Sequence, residues 1–176
     1  ETVSDTAKTL SRYIDGIMIR TYKHSDVVDF SQYGTIPVIN GLTDSQHPCQ
    51  ILADLQTIKE YKGKLQGIKL AYVGDGNNVA NSLLIGCSKV GMHISVATPK
   101  NYECDEFSVR HAKEAAVQTN ASVLITNDPY EAVKDADVVY TDTWVSMGME
   151  AEKEKRIENF MPYQVNDKLM KIAKSN

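Results

Sequence analysis

Three stretches of this chain carry side chains whose types and spacing suit chemistry on a small polar ligand. The first is Asp75-Gly76-Asn77-Asn78, where the apolar run Ile68–Gly74 gives way to a helical pattern through Leu83, Leu84, Cys87 and Val90. A strand that feeds a helix through glycines leaves backbone N–H groups and short polar side chains at a helix N-terminus, where orphan donors and the helix dipole converge. Amide side chains at Asn77 and Asn78 can donate to a carboxylate and accept from an amine, which suits a zwitterion. The stretch has neither the GxGxxG spacing of a dinucleotide fingerprint nor the GK[ST] of a P-loop. Taken alone, it reads equally well as a polar turn capping the next helix.

The second stretch is His47-Pro48-Cys49-Gln50. Proline suits the first position of a helix, so His47 stands just before one and Gln50 about one turn into it. Both can donate to a ligand carbonyl or phosphate. Arg20 closes a short apolar strand, and its guanidinium can hold a phosphate or a developing oxyanion. The third stretch, Asp142-Thr143-Trp144-Val145-Ser146-Met147-Gly148, follows another apolar strand. An aspartate at the carboxyl end of a parallel strand faces the ligand crevice, where it can pair with an ammonium group. Ser146 adds a hydroxyl, Met147 can lie along an aliphatic chain, and Trp144 is expected to pack. Plainer roles stay open for each: a histidine before a helix also serves as a cap, and an arginine at a strand end as a solvated charge. No Ser-His-Asp or Cys-His order suggests a covalent nucleophile, and no cluster has metal-ligand spacing. The expectation is chemistry without a cofactor or metal.

The elements that position these residues follow from hydrophobic periodicity. Helices are expected at Thr2–Tyr13, Ser25–Tyr33 (with Ser25 as N-cap and Gly34 closing it) and Pro48–Tyr61, with strands at Ile14–Arg20 and Ile36–Gly41. Further strands are expected at Lys69–Val73, Ile94–Thr98, Val123–Thr126 and Val138–Thr141, separated by helices near Val79–Val90, Glu106–Gln118 and Tyr130–Lys134. Helices at Glu150–Asn159 and Gln164–Lys174 complete the chain. The run Glu150–Arg156 reads as a solvated helix face with i,i+4 pairs. Alternating strands and helices imply an α/β fold with parallel sheets and right-handed crossovers. The division falls at residues 1–62 and 63–176, with the Pro48–Tyr61 helix bridging the two units and the first unit incomplete.

Composition narrows the class. With 42% apolar and 24% charged residues in 176, the chain is ordinary globular protein. A net charge of −4 and the lack of a basic block argue against nucleic-acid binding. No apolar run approaches the length of a bilayer span, and residues 1–5 lack signal-peptide character. Three widely spaced cysteines suit a reducing, cytoplasmic compartment, with Cys87 a buried small hydrophobe.

Together the stretches resemble the ornithine carbamoyltransferases along essentially the whole chain. The resemblance rests on Ile19-Arg20, Pro37-Val38-Ile39-Asn40-Gly41-Leu42, His47-Pro48-Cys49-Gln50-Ile51-Leu52-Ala53-Asp54, Gly74-Asp75-Gly76-Asn77-Asn78, Thr126-Asn127-Asp128-Pro129 and Asp142–Gly148. The HPxQ element is common to the wider aspartate/ornithine superfamily, whereas GDGNN and DTWVSMG resemble the ornithine branch. The resemblance implies two Rossmann-like units: a carbamoyl-phosphate side in 1–62 and an ornithine side in 63–176. It implies transfer of a carbamoyl group from carbamoyl phosphate to the side-chain amine of L-ornithine. Arg20, His47 and Gln50 would contact carbamoyl phosphate, with Arg20 and His47 polarising its carbonyl. Asn78, Asp142, Ser146 and Met147 would hold ornithine. It also implies a cytoplasmic homotrimer whose site is completed by a neighbouring subunit. The family's Ser-Thr-Arg-Thr-Arg loop and His-Cys-Leu-Pro loop have no counterpart in the sequence, so the 176 residues alone are expected to be catalytically incomplete. Two other readings are a non-catalytic amino-acid-binding α/β fragment and a carbamoyltransferase for another amine, such as putrescine or an acylated ornithine.

Overall fold

The computed structural model describes residues 2–146 and 149–175. The first part runs α1 (Val3–Leu10), β1 (Ile17–Arg20), α2 (His24–Tyr33), β2 (Val38–Leu42) and α3 (Pro48–Lys62), in the expected α-β-α-β-α order. β1 and β2 pair in parallel, which sets the end of β1 at Arg20 beside Leu42. Pro48 occupies the first turn of α3, and Gly63, at φ 73°, closes that helix in the left-handed region that a Cβ disfavours.

The second part runs β3 (Lys69–Val73), α4 (Asn78–Lys89), β4 (His93–Ala97), α5 (Glu106–Thr119), β5 (Val123–Thr126), α6 (Pro129–Val133) and β6 (Val138–Tyr140). A 3-10 turn (Glu150–Glu152), α7 (Lys153–Phe160), a second 3-10 turn (Met161–Tyr163) and α8 (Asp167–Met170) follow. The four strands form one parallel sheet in the order β5-β4-β3-β6: the chain runs outward from β3 to β5, then crosses back to lay β6 on the other side of β3, so the winding reverses at β3. Ligand crevices in open α/β sheets open at such a reversal, beyond the carboxyl ends of the strands. Here that point lies between Asp75 and Asp142.

Leu70, Tyr72, Leu83, Leu84, Cys87, Met92, Ile94 and Val96 form the largest core, closed on one side by Ile51, Leu55 and Ile58 of α3. Each fully buried aliphatic side chain in it stabilises the fold by roughly 1.5–3 kcal/mol. Cys87 is the buried small hydrophobe its sequence position predicts. Because α3 also touches β2, it packs against both parts of the molecule. Among the described residues no helix is long and apolar enough to cross a membrane.

The structure corrects several local expectations. Lys23, not Ser25, precedes α2, and its side chain makes no cap bond; the His24 amide donates instead to Asp44 Oδ1 (3.0 Å). The first helix and strand are shorter than their apolar patterns, ending at Leu10 and starting at Ile17. The expected helix at Gln164–Lys174 reduces to Asp167–Met170, capped by Asn166. Beyond it the backbone bonds elsewhere: Ile172 accepts from the Asp135 amide and the Lys174 amide donates to Ala136, both leading into β6. The run from Glu150 is a 3-10 turn followed by α7, and it is not a uniformly solvated face, because Arg156 is buried.

Candidate functional site

A cleft of about 660 Å³ opens where the first part meets the carboxyl ends of β3 and β6. Arg20, His47, Gln50, Asn78, Asp142 and Ser146, six of the seven residues expected from sequence, line it together. Met147 lies outside the described residues.

The segment 43–47 is tied down by the start of α4. The Asn78 side-chain amide donates to the Thr43 carbonyl (2.7 Å). The His47 amide donates to Ser82 Oγ (2.8 Å), and that hydroxyl donates to the Asn78 carbonyl (2.8 Å). These bonds hold His47 at the cleft wall rather than leaving it to a mobile loop. His47 does not cap α3 with its side chain, which removes the plainest alternative for it. Burial, reinforced by the neighbouring Arg20 charge, holds the His47 imidazole below its ordinary value near 6.5, although Asp142 and Asp54 pull the other way. The ring is therefore neutral at pH 7, and its Nδ1 is buried without a hydrogen-bond partner among the described residues. Gln50 donates to Asp54 Oδ1 (2.9 Å), which fixes its amide one turn into α3.

On the opposite wall, Asn77 accepts from the amides of Val79 and Ala80 as the N-cap of α4. Its Nδ2 donates to Asp142 Oδ2 (2.9 Å), while the Thr143 amide donates to Asp142 Oδ1 (2.7 Å). The Asp142 carboxylate is thus oriented by two donors yet still lines the cleft. Asn78 commits one of its two amide N–H groups to Thr43, which leaves Oδ1, an acceptor suited to an ammonium group, and the second N–H to offer a ligand. Gly76 has a separate reason to be glycine: a Cβ there would run into the backbone of residues 102–104. Among the described residues no group of three His, Cys, Asp or Glu converges as a metal site.

Sequence reasoning missed Arg156. It forms an ion pair with Asp75 at the end of β3, and its Nε donates to the Trp144 carbonyl (2.6 Å). Burial pushes the Asp75 carboxyl up, and the guanidinium opposes that push. Nothing in the local run of Lys and Glu distinguishes this arginine, except that it stands four residues from Phe160 on one face of α7.

Two family models cover nearly the whole chain. The aspartate/ornithine carbamoyltransferase carbamoyl-P binding domain matches residues 1–60, and the Asp/Orn binding domain of the same family matches residues 66–176. The chain belongs to the aspartate/ornithine carbamoyltransferase family. The ornithine carbamoyltransferase of Anoxybacillus flavithermus is 58% identical over all 176 residues, and that of Caldicellulosiruptor saccharolyticus is 60% identical. The solved ornithine carbamoyltransferase of Pyrococcus furiosus superposes with a TM-score of 0.95 at 55% identity over 99% of this chain. The chain spans little more than half of these relatives, 56% of the first and 57% of the second, and 56% of the solved chain. The two matches leave a gap between residues 60 and 66, which is where α3 ends.

Proposed function

We propose that the protein to which this chain belongs is an ornithine carbamoyltransferase, moving the carbamoyl group of carbamoyl phosphate to the side-chain amine of L-ornithine and releasing citrulline and phosphate. The observation that carries this reading is the division of one cleft into two chemically different walls. One wall presents a cation and neutral N–H donors (Arg20, His47, Gln50), and the other a carboxylate with amide and hydroxyl groups (Asp142, Asn78, Ser146). Residues 1–62 then form the carbamoyl-phosphate side and 63–176 the ornithine side. The family resemblance adds Met147 to the ornithine contacts, and it adds a cytoplasmic homotrimer as the working assembly.

In this reading the deprotonated side-chain amine attacks the carbonyl carbon of carbamoyl phosphate. Negative charge grows on the carbonyl oxygen, where Arg20 and the neutral His47 stabilise it as donors already in place. The bond from carbon to the phosphate oxygen then breaks, and the nitrogen sheds its proton. Phosphate is a competent leaving group, so no covalent enzyme intermediate is called for, and orientation supplies much of the rate. Asp142 pairs with the α-ammonium of ornithine, and its bond to Asn77 fixes the direction of that pairing.

The test is steady-state kinetics on the full-length protein. Asp142→Asn is expected to raise KM for ornithine much more than KM for carbamoyl phosphate. Equal weakening of both substrates overturns the assignment of the two walls, and faster carbamoylation of putrescine than of ornithine overturns the substrate.

A further inference from the structure

Arg156 lines the cleft without being free to bind anything in it. Only 4% of its side chain is exposed. Its Nη2 is bound to Asp75, its Nε to the Trp144 carbonyl, and its Nη1 lies 3.7 Å from Glu152. The guanidinium lies 4.9 Å from the ring centre of Tyr102 and 5.2 Å from that of Phe160. Phe160 in turn stacks on Trp144, with ring centres 6.2 Å apart. One side chain therefore joins the end of β3, the segment after β4, the segment after β6 and helix α7.

Among the described residues, the segment it touches is held by short-range bonds of its own, including one from the Met149 amide to the Ser146 carbonyl (3.1 Å). Within Thr143–Ser146 the bonds are local: Thr143 Oγ1 donates to the Val145 carbonyl (3.2 Å) and accepts from the Val145 amide (3.4 Å). Arg156 instead fastens the Trp144 carbonyl to the sheet through Asp75, two residues before Ser146 and two after Asp142. A charge-assisted bond to a backbone carbonyl, backed by a buried ion pair, fixes the backbone without taking part in the chemistry.

We propose that Arg156 is a positioning residue, whose guanidinium, braced on Asp75, holds the Trp144 carbonyl and so sets the affinity of the cleft for its amine substrate. The proposal rests on reading Asp142 and Ser146 as contacts of that substrate. It makes a demand that a purely structural role does not: loss of the clamp weakens the amine substrate selectively.

The experiment uses the full-length protein with three variants. Arg156→Lys keeps a cation for Asp75 but has no Nε–H to reach the Trp144 carbonyl. Arg156→Gln combined with Asp75→Asn removes the clamp without stranding a buried charge. Asp142→Asn reports independently on the site reading. Both clamp variants are expected to raise KM for ornithine about tenfold, the scale of one charge-assisted hydrogen bond. KM for carbamoyl phosphate is expected to stay within about twofold. Unchanged KM for ornithine in Arg156→Lys overturns the proposal, and so does an equal rise in both KM values. If Asp142→Asn raises KM for ornithine while the clamp variants do not, the proposal falls and the site reading stands. If Asp142→Asn leaves ornithine binding unaltered, both fall.

Discussion

Asn77 and Asp142, 65 residues apart in sequence, meet in a 2.9 Å hydrogen bond, and the same Asn77 side chain caps helix α4. One amide therefore does two jobs with its two ends. Its oxygen starts the helix, and its nitrogen aims the carboxylate at the cleft. Replacing Asn77 by alanine removes both. The expected cost is about 1–2 kcal/mol of stability from the lost cap, read as a lower urea midpoint, together with weaker binding of the amine substrate. An unchanged midpoint would show that water replaces the cap.

Gly76 is fixed by space. A Cβ at this position overlaps the backbone of residues 102–104, which has no side-chain freedom with which to give way, and the Gly76 amide also donates to the Tyr102 carbonyl (2.8 Å). Gly76→Ala is expected to cost at least about 1–3 kcal/mol, as overpacking does. It should also disturb the cleft, because Tyr102 lines it. Thermal unfolding measures the first effect and substrate binding the second. A wild-type melting temperature would contradict the predicted overlap.

His47 gives a signed pH dependence. Its folded-state pKa lies below the ordinary value near 6.5, first because of burial and then because of Arg20. Below about pH 6.5 the unfolded chain binds the proton more readily than the folded one, so stability rises with pH in that window. The contribution is complete above pH 6.5 and is lost as pH falls through the folded value. Denaturation of His47→Asn at several pH values should show a flatter profile between neutral and mildly acid pH. A slope as steep as that of the parent would assign the effect to other groups.

Tyr72 is fully buried in β3, and its hydroxyl has no hydrogen-bond partner among the described residues. Burial, with Asp142 and Asp75 nearby, pushes that phenol well above its usual range, so it stays protonated. An unpaired buried hydroxyl costs about 1–3 kcal/mol. Tyr72→Phe should therefore be neutral or stabilising, with the ring still stacked on Tyr140. Destabilisation by chemical denaturation would mean that the hydroxyl is satisfied in solution.

Local signals in the sequence carried much of this protein. The β3 and β5 strands run over the residues that their apolar runs mark, and α3 starts at Pro48, because a short apolar run and a proline act within a few residues. The residue types of the cleft were legible for the same reason: each sits at the end of a recognisable strand or the start of a recognisable helix. The length of the last helix was not. Its periodic pattern continues past Met170, but the backbone there is claimed by Asp135 and Ala136.

Tertiary structure alone decided which residues share the cleft. The order β5-β4-β3-β6 puts β6 beside β3, and that adjacency delivers Asp142 to Asn77. It also decided Arg156. Within its run of lysines and glutamates this arginine looks like any solvated charge, and only packing α7 against the end of β3 buries it on Asp75, 81 residues away. A side chain's type and period are properties of its neighbours in sequence. Its burial and partner depend on which distant element arrives opposite, and no local pattern encodes that.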